Sequence, residues 1–244
     1  MALNYSFAGK KVLVTGGGGG IGRQIIQRLY DDGAIIHTID KNPELIEQIR
    51  KELPKIVAQV ADITDWAATR KVIESFGPLD ILVNNAGVLK SEEFMEITEE
   101  GASMHFDVQV KGHVNVTQTV ARGMIAEGNG GTIVNMSSLA GRMTLAGIGM
   151  YSASKAALNM LTKTMAIELG PHNIRVNAVG AAAVVAPMTA LLPEKTPEVL
   201  GPRLVIKRPI ETNEVADAVL FLLSPLSCMM TGEVVTIDGG ITAN

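Results

Sequence analysis

The fold is decided near the start of the chain, by Val12-Leu13-Val14-Thr15-Gly16-Gly17-Gly18-Gly19-Gly20-Ile21-Gly22. A short apolar run passes through five glycines into an amphipathic helical pattern. Glycine allows positive φ angles and a close approach of the backbone to a ligand. The helix that follows begins with unpaired N–H groups and the positive end of its dipole, which suit a pyrophosphate. Five glycines alone would indicate only a flexible loop, but their place between strand and helix predicts a phosphate-binding turn containing Gly16, Gly20, Ile21 and Gly22.

Short apolar runs alternate with longer helical patterns along the rest of the chain. The predicted strands are 11–15, 35–39, 56–60, 81–84, 132–136, 174–179 and 234–237. The predicted helices are 21–32, 43–53, 65–76, 99–127, 151–169 and 214–224. The strand runs are apolar throughout, as in strands that are buried on both faces. The sequence therefore predicts an α/β fold, a doubly wound parallel sheet of seven strands in a single domain over residues 1–244.

Composition and charge limit the kinds of binding partner that the sequence predicts. The net charge of −4 gives no reason to expect a nucleic acid or an anionic membrane as partner. The apolar residues 176–193 are fewer than the roughly 20 of a membrane span, and we interpret them as strand and loop. The single cysteine, Cys228, cannot form an internal disulfide, which fits a cytoplasmic protein. The four histidines lack metal-ligand spacing, so no metal site is predicted.

The second predicted strand is followed by Asp40, eighteen residues beyond Gly22. A carboxylate at this position can accept hydrogen bonds from an adenosine ribose and would repel a 2′-phosphate. Asp40 therefore favours NAD(H) as cofactor. Two alternatives stay open: Asp40 as a turn or cap residue before Asn42, and NADP(H) as cofactor if the neighbouring Lys41 turns towards a phosphate.

Several motifs together resemble the short-chain dehydrogenase/reductase superfamily. They are the Thr-Gly-x-x-x-Gly-x-Gly spacing, Asn84-Asn85-Ala86-Gly87 after the fourth strand, and Tyr151-x-x-x-Lys155. The resemblance runs from Lys10 to Gly240, and segments 77–80, 120–124 and 169–177 are most similar to the carbonyl reductase and L-xylulose (dicarbonyl) reductase branch. It implies a Rossmann-type fold and an oxidoreductase that moves a hydride between a nicotinamide cofactor and a small carbonyl or alcohol (a ketone, a dicarbonyl or a sugar such as L-xylulose). It also implies a homotetramer.

The resemblance assigns roles to the residues around the tyrosine. Tyr151 would be the general acid/base, and Lys155 would also hold the nicotinamide ribose. Ser138 would hydrogen-bond the reacting carbonyl oxygen, with its neighbour Ser137 as the alternative. On a helix, Lys155 at i+4 lies on the same face as Tyr151. Its charge is expected to lower the pKa of Tyr151 from the usual value near ~10.

Further site positions follow from the same resemblance. Asp62 would contact the adenine ring, and Asn84 with Gly87 would wall the nucleotide site. Turn caps are the alternative role for these Asp and Asn side chains. The loop opposite the serine places Leu145 and Ile148 beside the substrate. Both are apolar, which favours a hydrophobic ketone or dicarbonyl over a polyol.

Three positions depart from the family pattern. Gln109 stands where an Asn usually anchors a water linked to the lysine, and it is a candidate catalytic residue here. Gly180-Ala181-Ala182 stands at a strand end where most relatives have Asn-Pro-Gly, and Ala186 stands where a threonine commonly supports the nicotinamide carboxamide. A substrate loop is expected near 186–208. These departures keep open a second hypothesis, a catalytically weak nucleotide-binding or sensing protein on the same fold.

The predicted helix 151–169 is apolar or small nearly all round, with Lys155, Lys163 and Glu168 its only charges. Such a helix needs cover on more than one side. A single sheet covers one side, so the sequence predicts a homodimer or homotetramer that buries this helix and part of 99–127.

Overall fold

The computed structural model describes residues 5–243. The strands are β1 (Lys11–Thr15), β2 (Ile35–Asp40), β3 (Val57–Val60), β4 (Ile81–Asn84), β5 (Gly131–Met136), β6 (Ile174–Ala181) and β7 (Val234–Ile237). The α-helices are α1 (Gly20–Asp31), α2 (Pro43–Glu52), α3 (Trp66–Glu74), α4 (Glu99–Phe106), α5 (His113–Glu127), α6 (Gly149–Leu169), α7 (Thr196–Leu200) and α8 (Thr212–Leu223). The strands lie within two residues of the predicted runs.

The strands form one seven-stranded sheet in the order β3-β2-β1-β4-β5-β6-β7. Every neighbouring pair is parallel. The predicted α/β fold with a single parallel sheet is confirmed. The order of the strands reverses between β1 and β4, and in such sheets the crevice at the carboxyl ends of the strands around this point is where ligands bind.

Helices cover both faces of the sheet, as the uniformly apolar strands require. One layer contains α1, α2 and α8, and it buries Ile25, Ile49 and Val219 against the sheet. The other layer contains α3, α5 and α6, with Val116 and Ala166 in its core. The sheet is therefore held in place by an apolar layer on each side.

The prediction of one continuous helix over 99–127 is wrong in the middle. A π-helical segment, Asp107–Gly112, separates α4 from α5. The end of this segment is tightly packed, because a β-carbon on Gly112 would lie only 2.8 Å from the side chain of Ile63. The wider turn brings Gln109 into the interior, where it is fully buried. Single π-turns inside α-helices are frequent at functional sites.

The apolar stretch 176–193 lies mostly in β6 and the loop after it, as expected. Within residues 5–243, no helix combines the length and the apolar character that crossing a membrane would need. The same residues contain no cluster of three or more His, Cys, Asp or Glu side chains placed to bind a metal.

Candidate active site

The glycine turn connects β1 to α1 at the carboxyl edge of the sheet. Gly16 has a φ of 64°, and a β-carbon there would lie 2.8 Å from the backbone of Ala86. Gly22 faces the Gly16 carbonyl so closely that a β-carbon would lie 2.5 Å from its oxygen. Only glycine satisfies both positions.

The N-terminus of α1 suits a phosphate group. Its N-cap is Gly19, and no described side chain caps the helix there. The first N–H groups of α1 are therefore available to an anion, and the helix dipole adds to the attraction. The turn thus fits the pyrophosphate of a dinucleotide, which Gly16, Gly20, Ile21 and Gly22 would hold.

Asp40 lies at the end of β2 beside this turn. Its carboxylate accepts a hydrogen bond from the N–H of Gly18 at 3.2 Å and one from the N–H of Asn42 at 3.0 Å. Asp40 therefore serves as a turn residue and also places a carboxylate next to the glycine turn. The cap of α2 is Asn42 itself, whose side chain accepts from the N–H of Glu44 at 2.8 Å. Lys41 is exposed to solvent.

The side chains of Asp62 and Asn84 both have hydrogen-bond partners within the protein, and the adenine contact of Asp62 stays a prediction. Asp62 accepts hydrogen bonds from the N–H and hydroxyl of Thr64, the turn role left open above. Asn84 is fully buried and donates to Thr117 at 2.8 Å and to Asn135 at 2.9 Å. Its side chain joins β4 to α5 and β5 in the core instead of walling the cleft.

The neighbouring asparagine occupies the wall that was expected of Asn84. Asn85 and Gly87 both line the cavity at the carboxyl edge of the sheet. The Asn85 side chain donates to the carbonyls of Thr15 and Gly16, at 3.0 and 2.9 Å. The sequence analysis assigned no role to Asn85. The signal was available, because the strand was predicted to end at 84 and successive side chains along a strand point to opposite sides.

Ser138, Tyr151 and Lys155 come together in the same cavity. Ser138 follows β5, whereas Tyr151 and Lys155 lie one turn apart on α6. The Lys155 Nζ atom donates to the Met136 carbonyl at 2.7 Å and lies 5.7 Å from the centre of the Tyr151 ring. The alternative serine, Ser137, donates to Asn159 at 2.5 Å.

Burial shifts the pKa values of both Tyr151 and Lys155. It raises the pKa of the Tyr151 phenol above its usual value, and a hydrogen bond with Ser138 opposes that rise only in part. Burial also lowers the pKa of Lys155 to about 7. The net shift of the Tyr151 pKa is therefore upward, whereas the sequence predicted a downward shift caused by Lys155. The phenol therefore keeps its proton at neutral pH, which is the protonation state that a general acid requires.

Gln109 lies beneath the cavity and does not line it. Its amide donates to the Val88 carbonyl at 3.0 Å and accepts from the Val88 N–H at 3.3 Å. The same amide nitrogen lies 3.4 Å from the hydroxyl of Ser154, which donates to the Tyr151 carbonyl. Gln109 is thus placed to position the segment after β4, and a direct catalytic role for it stays a prediction.

Two buried histidines, for which the sequence predicted no role, also hold the walls of the site. His105 contacts the Gly101 carbonyl at 2.7 Å and accepts from the N–H of Lys90, and its ring packs edge-on against Tyr151. His113 lies 2.8 Å from the Ala86 carbonyl, and burial lowers the pKa of its imidazole to about 3. Burial also lowers the pKa of the His105 imidazole below its usual value, so both rings favour the neutral form at physiological pH. No spacing pattern marks them, because their partners are backbone atoms.

The substrate side of the cavity is apolar. Leu145 and Ile148 line it as expected. The predicted loop 186–208 folds over it with short helical turns, including α7. Sequence reasoning did not name the side chains that this loop contributes, which include Met188, Leu192 and Leu200. Ala182 and Ala186 also line the cavity, so the two departures from the family pattern place small apolar groups in it.

A parallel sheet, a phosphate-binding glycine turn and an adjacent Ser-Tyr-Lys group define a dinucleotide-dependent oxidoreductase. The family profile described as enoyl-(acyl carrier protein) reductase matches residues 16–242, and the chain belongs to the short-chain dehydrogenase/reductase family. It is an NAD(P)-dependent oxidoreductase acting on a carbonyl or alcohol.

Relatives with curated names are similar along the full chain. L-xylulose reductase from Bos taurus is 41% identical over 244 residues, covering 99% of this chain and 100% of that protein. Carbonyl reductase [NADPH] 2 from Sus scrofa is 37% identical, covering 99% of this chain and 100% of that protein. Among solved structures, a gluconate 5-dehydrogenase from Burkholderia cenocepacia in complex with NADP and tartrate has a TM-score of 0.91 at 30% identity, covering 98% of this chain and 97% of that one.

Proposed function

We propose that this oxidoreductase reduces the carbonyl group of a small ketone or dicarbonyl, with Tyr151 as proton donor. The bound nicotinamide supplies the hydride. The Ser138 hydroxyl donates to the carbonyl oxygen and holds it beside the phenol. The main support for the proposal is that Tyr151 and Ser138 line the same, mostly apolar cavity. Ile21, at the glycine turn, lines this cavity as well.

Lys155 supports the proton transfer from Tyr151. Its amine stays in place through the Met136 carbonyl, 5.7 Å from the centre of the Tyr151 ring. Once the phenol has given up its proton, a nearby ammonium stabilises the phenolate. The same amine would hold the nicotinamide ribose.

The second hypothesis, a catalytically weak nucleotide-binding or sensing protein, rests on Gln109, Ala182 and Ala186. The complete Ser138, Tyr151 and Lys155 group favours the enzyme instead. Oxidation of NADH and NADPH should be followed by absorbance with a panel of diketones, aromatic ketones and sugars, L-xylulose among them. Turnover of at least one carbonyl compound supports the enzyme. Tight dinucleotide binding without any turnover supports the second hypothesis.

We propose NAD(H) as the preferred cofactor, on the basis of the Asp40 carboxylate beside the glycine turn. Asp40→Ser removes the negative charge but keeps a hydrogen-bonding group. We expect it to raise kcat/KM for NADPH about tenfold relative to NADH, on the order of 1.4 kcal/mol. Steady-state kinetics with both cofactors measures the change. A clear NADPH preference of the unaltered protein, lost in Lys41→Ala, would show that Lys41 reads the phosphate instead.

We also propose a cytoplasmic homotetramer or homodimer that buries α6 and part of α5. Met160 and Ile167 lie seven residues apart on α6 and are 63% and 78% exposed in a single chain. Two large apolar side chains this exposed on one helix face support the burial of that face between subunits. The exposed free thiol of Cys228 fits a reducing compartment.

A charged side chain on this surface of α6 should weaken the association of the subunits. We expect Ile167→Asp to shift the sedimentation coefficient of the protein at micromolar concentration towards that of a monomer or dimer. Val57→Asp, on the edge strand β3 away from α6, is the matched control and should leave assembly unchanged. A monomeric unaltered protein would contradict the proposed assembly.

A further inference from the structure

Three buried polar side chains lie on one face of the helical run from α4 to α5. His105 belongs to α4, Gln109 to the π-helical segment and His113 to the start of α5. Each follows the one before by four residues, and all three are 0% exposed. Residues four apart on a helix lie on the same face. The three side chains therefore form a buried polar stripe.

The stripe contacts the backbone of the segment that follows β4. Each of its side chains contacts one residue there, and these residues are spaced two apart. In the order of the stripe they are Lys90, Val88 and Ala86, at hydrogen-bond distances of 3.2, 3.0 and 2.8 Å. Four helical residues advance about 6 Å along the axis and two residues of extended chain advance about 6.6 Å, so the two spacings match. The residues between the contacted ones, Gly87 and Leu89, line the catalytic cavity. The stripe thus holds one side of a segment whose other side is the cavity wall.

One end of the stripe reaches Tyr151. The rings of His105 and Tyr151 pack edge-on, with 6.1 Å between their centres. The Nε2 atom of His105 accepts from the Lys90 N–H, so the proton lies on Nδ1, which donates to the Gly101 carbonyl at 2.7 Å. Because both ring nitrogens are engaged, the imidazole is held in one orientation, and the Tyr151 ring packs against a fixed surface.

The other end of the stripe reaches the glycine turn through Ala86. A carbonyl oxygen only accepts, so the Nε2 atom of His113 donates to that of Ala86. The Ala86 N–H donates to the Thr15 hydroxyl at 3.0 Å. A β-carbon on Gly16 would lie 2.8 Å from the Cα atom of Ala86, so the two backbones are in close contact. A shift of Ala86 would therefore move the turn that would hold the pyrophosphate.

We propose that His105 and His113 are positioning residues with separate tasks in the reaction. His105 orients the Tyr151 ring for proton donation. His113 fixes Ala86 against the glycine turn and so positions the dinucleotide. The inference rests on the proposed function, because it takes Tyr151 as the proton donor. Neither histidine is among the described residues that line the catalytic cavity, so each acts through a neighbour and not on the substrate.

His105→Phe tests the first task. The variant keeps an aromatic ring beside Tyr151 but loses both hydrogen bonds that orient it. We expect the single-turnover rate with the best carbonyl compound of the panel to fall about tenfold, because a small misplacement of a reacting group is costly in rate. The Kd for NADH, measured by fluorescence titration, should stay within about twofold of the unaltered protein.

His113→Leu tests the second task. It removes the donor to the Ala86 carbonyl, and we expect the Kd for NADH to rise about three- to tenfold, the usual effect of losing one neutral hydrogen bond. The single-turnover rate at saturating NADH should change by less than about twofold. His113→Gln places an amide nitrogen near the position of Nε2 and should restore most of the NADH affinity.

A third histidine provides the control for losing a buried imidazole. His37 lies on β2, is 6% exposed and packs against Phe76. His37→Gln should leave both the rate and the Kd for NADH within about twofold. Circular dichroism checks the fold of each variant. Where His105→Phe or His113→Leu does not fold, the Asn variant at the same position replaces it, because the shorter amide has no nitrogen at the position of Nε2.

The split between rate and affinity decides the inference. Equal changes of both quantities in the His105 and His113 variants would indicate only a general loosening of the wall and would overturn it. Unchanged values in folded variants, or equal losses in His37→Gln, would overturn it too. If the unaltered protein reduces no carbonyl compound, the proposed function fails and the task of His105 fails with it. The NADH titrations of the His113 variants still decide the task of His113 in that case.

Discussion

Replacing Tyr151 by Phe should lower kcat by about 10²–10⁴-fold and leave dinucleotide affinity nearly unchanged. The magnitude is the usual span for a general acid–base group. The substitution removes the phenolic oxygen only, and the ring keeps its packing against His105 and its place in the cavity wall. Single-turnover rates report the chemical step, and fluorescence titration with NADH reports binding.

A second tyrosine provides the control for this experiment. Tyr30 lies on α1 away from the cavity lining, and Tyr30→Phe should leave kcat unchanged. Near-normal turnover in Tyr151→Phe would refute its role as proton donor. A matching loss of NADH affinity would show instead that the phenol belongs to the cofactor site.

The second large effect concerns Lys155→Met. We expect turnover to fall on the order of 10²-fold or more, because the variant loses both the ammonium near the phenol and the donor to the nicotinamide ribose. Dinucleotide affinity should also fall, which distinguishes this variant from Tyr151→Phe. Lys163→Met, at an exposed position on the same helix, is the matched control and should preserve turnover.

Lys155→Met should also raise the free energy of unfolding. Burying the Lys155 amine lowers its pKa from 10.5 to about 7. Between these two values the unfolded chain binds more protons than the folded one, so stability rises with pH from about 7 to about 10.5. Below about 7 both states are protonated, and the cost of burying the charge is complete. Met carries no charge and removes this cost.

Thermal or urea unfolding at several pH values measures that prediction. At pH 7 we expect Lys155→Met to raise the free energy of unfolding by roughly 1–4 kcal/mol, as for other buried charged groups replaced by apolar ones. The variant should also lose the part of the stability gain between pH 7 and pH 9 that belongs to Lys155, at most about 1.4 kcal/mol per pH unit. Equal pH dependence of the variant and the unaltered protein would show that the amine is not buried as a neutral group.

The strand and helix pattern was predictable from the sequence because each element depends on neighbours in the chain. The uniformly apolar runs required burial on both faces, and the glycine turn required a strand before it and a helix after it. The break in the helix at Asp107–Gly112 was not predictable in this way. The segment packs against Ile63 and Val88, which are both distant from it in the sequence.

The sequence by itself determined the sheet and the glycine turn, because local periodicity carries that information. The Ser138, Tyr151 and Lys155 group was predicted from the resemblance to the short-chain dehydrogenase/reductase family. Tertiary structure alone decided that Asn84 lies in the core while Asn85 lines the cleft. It also decided the direction of the Tyr151 pKa shift, since burial depends on what surrounds the phenol and outweighs the hydrogen bond with Ser138.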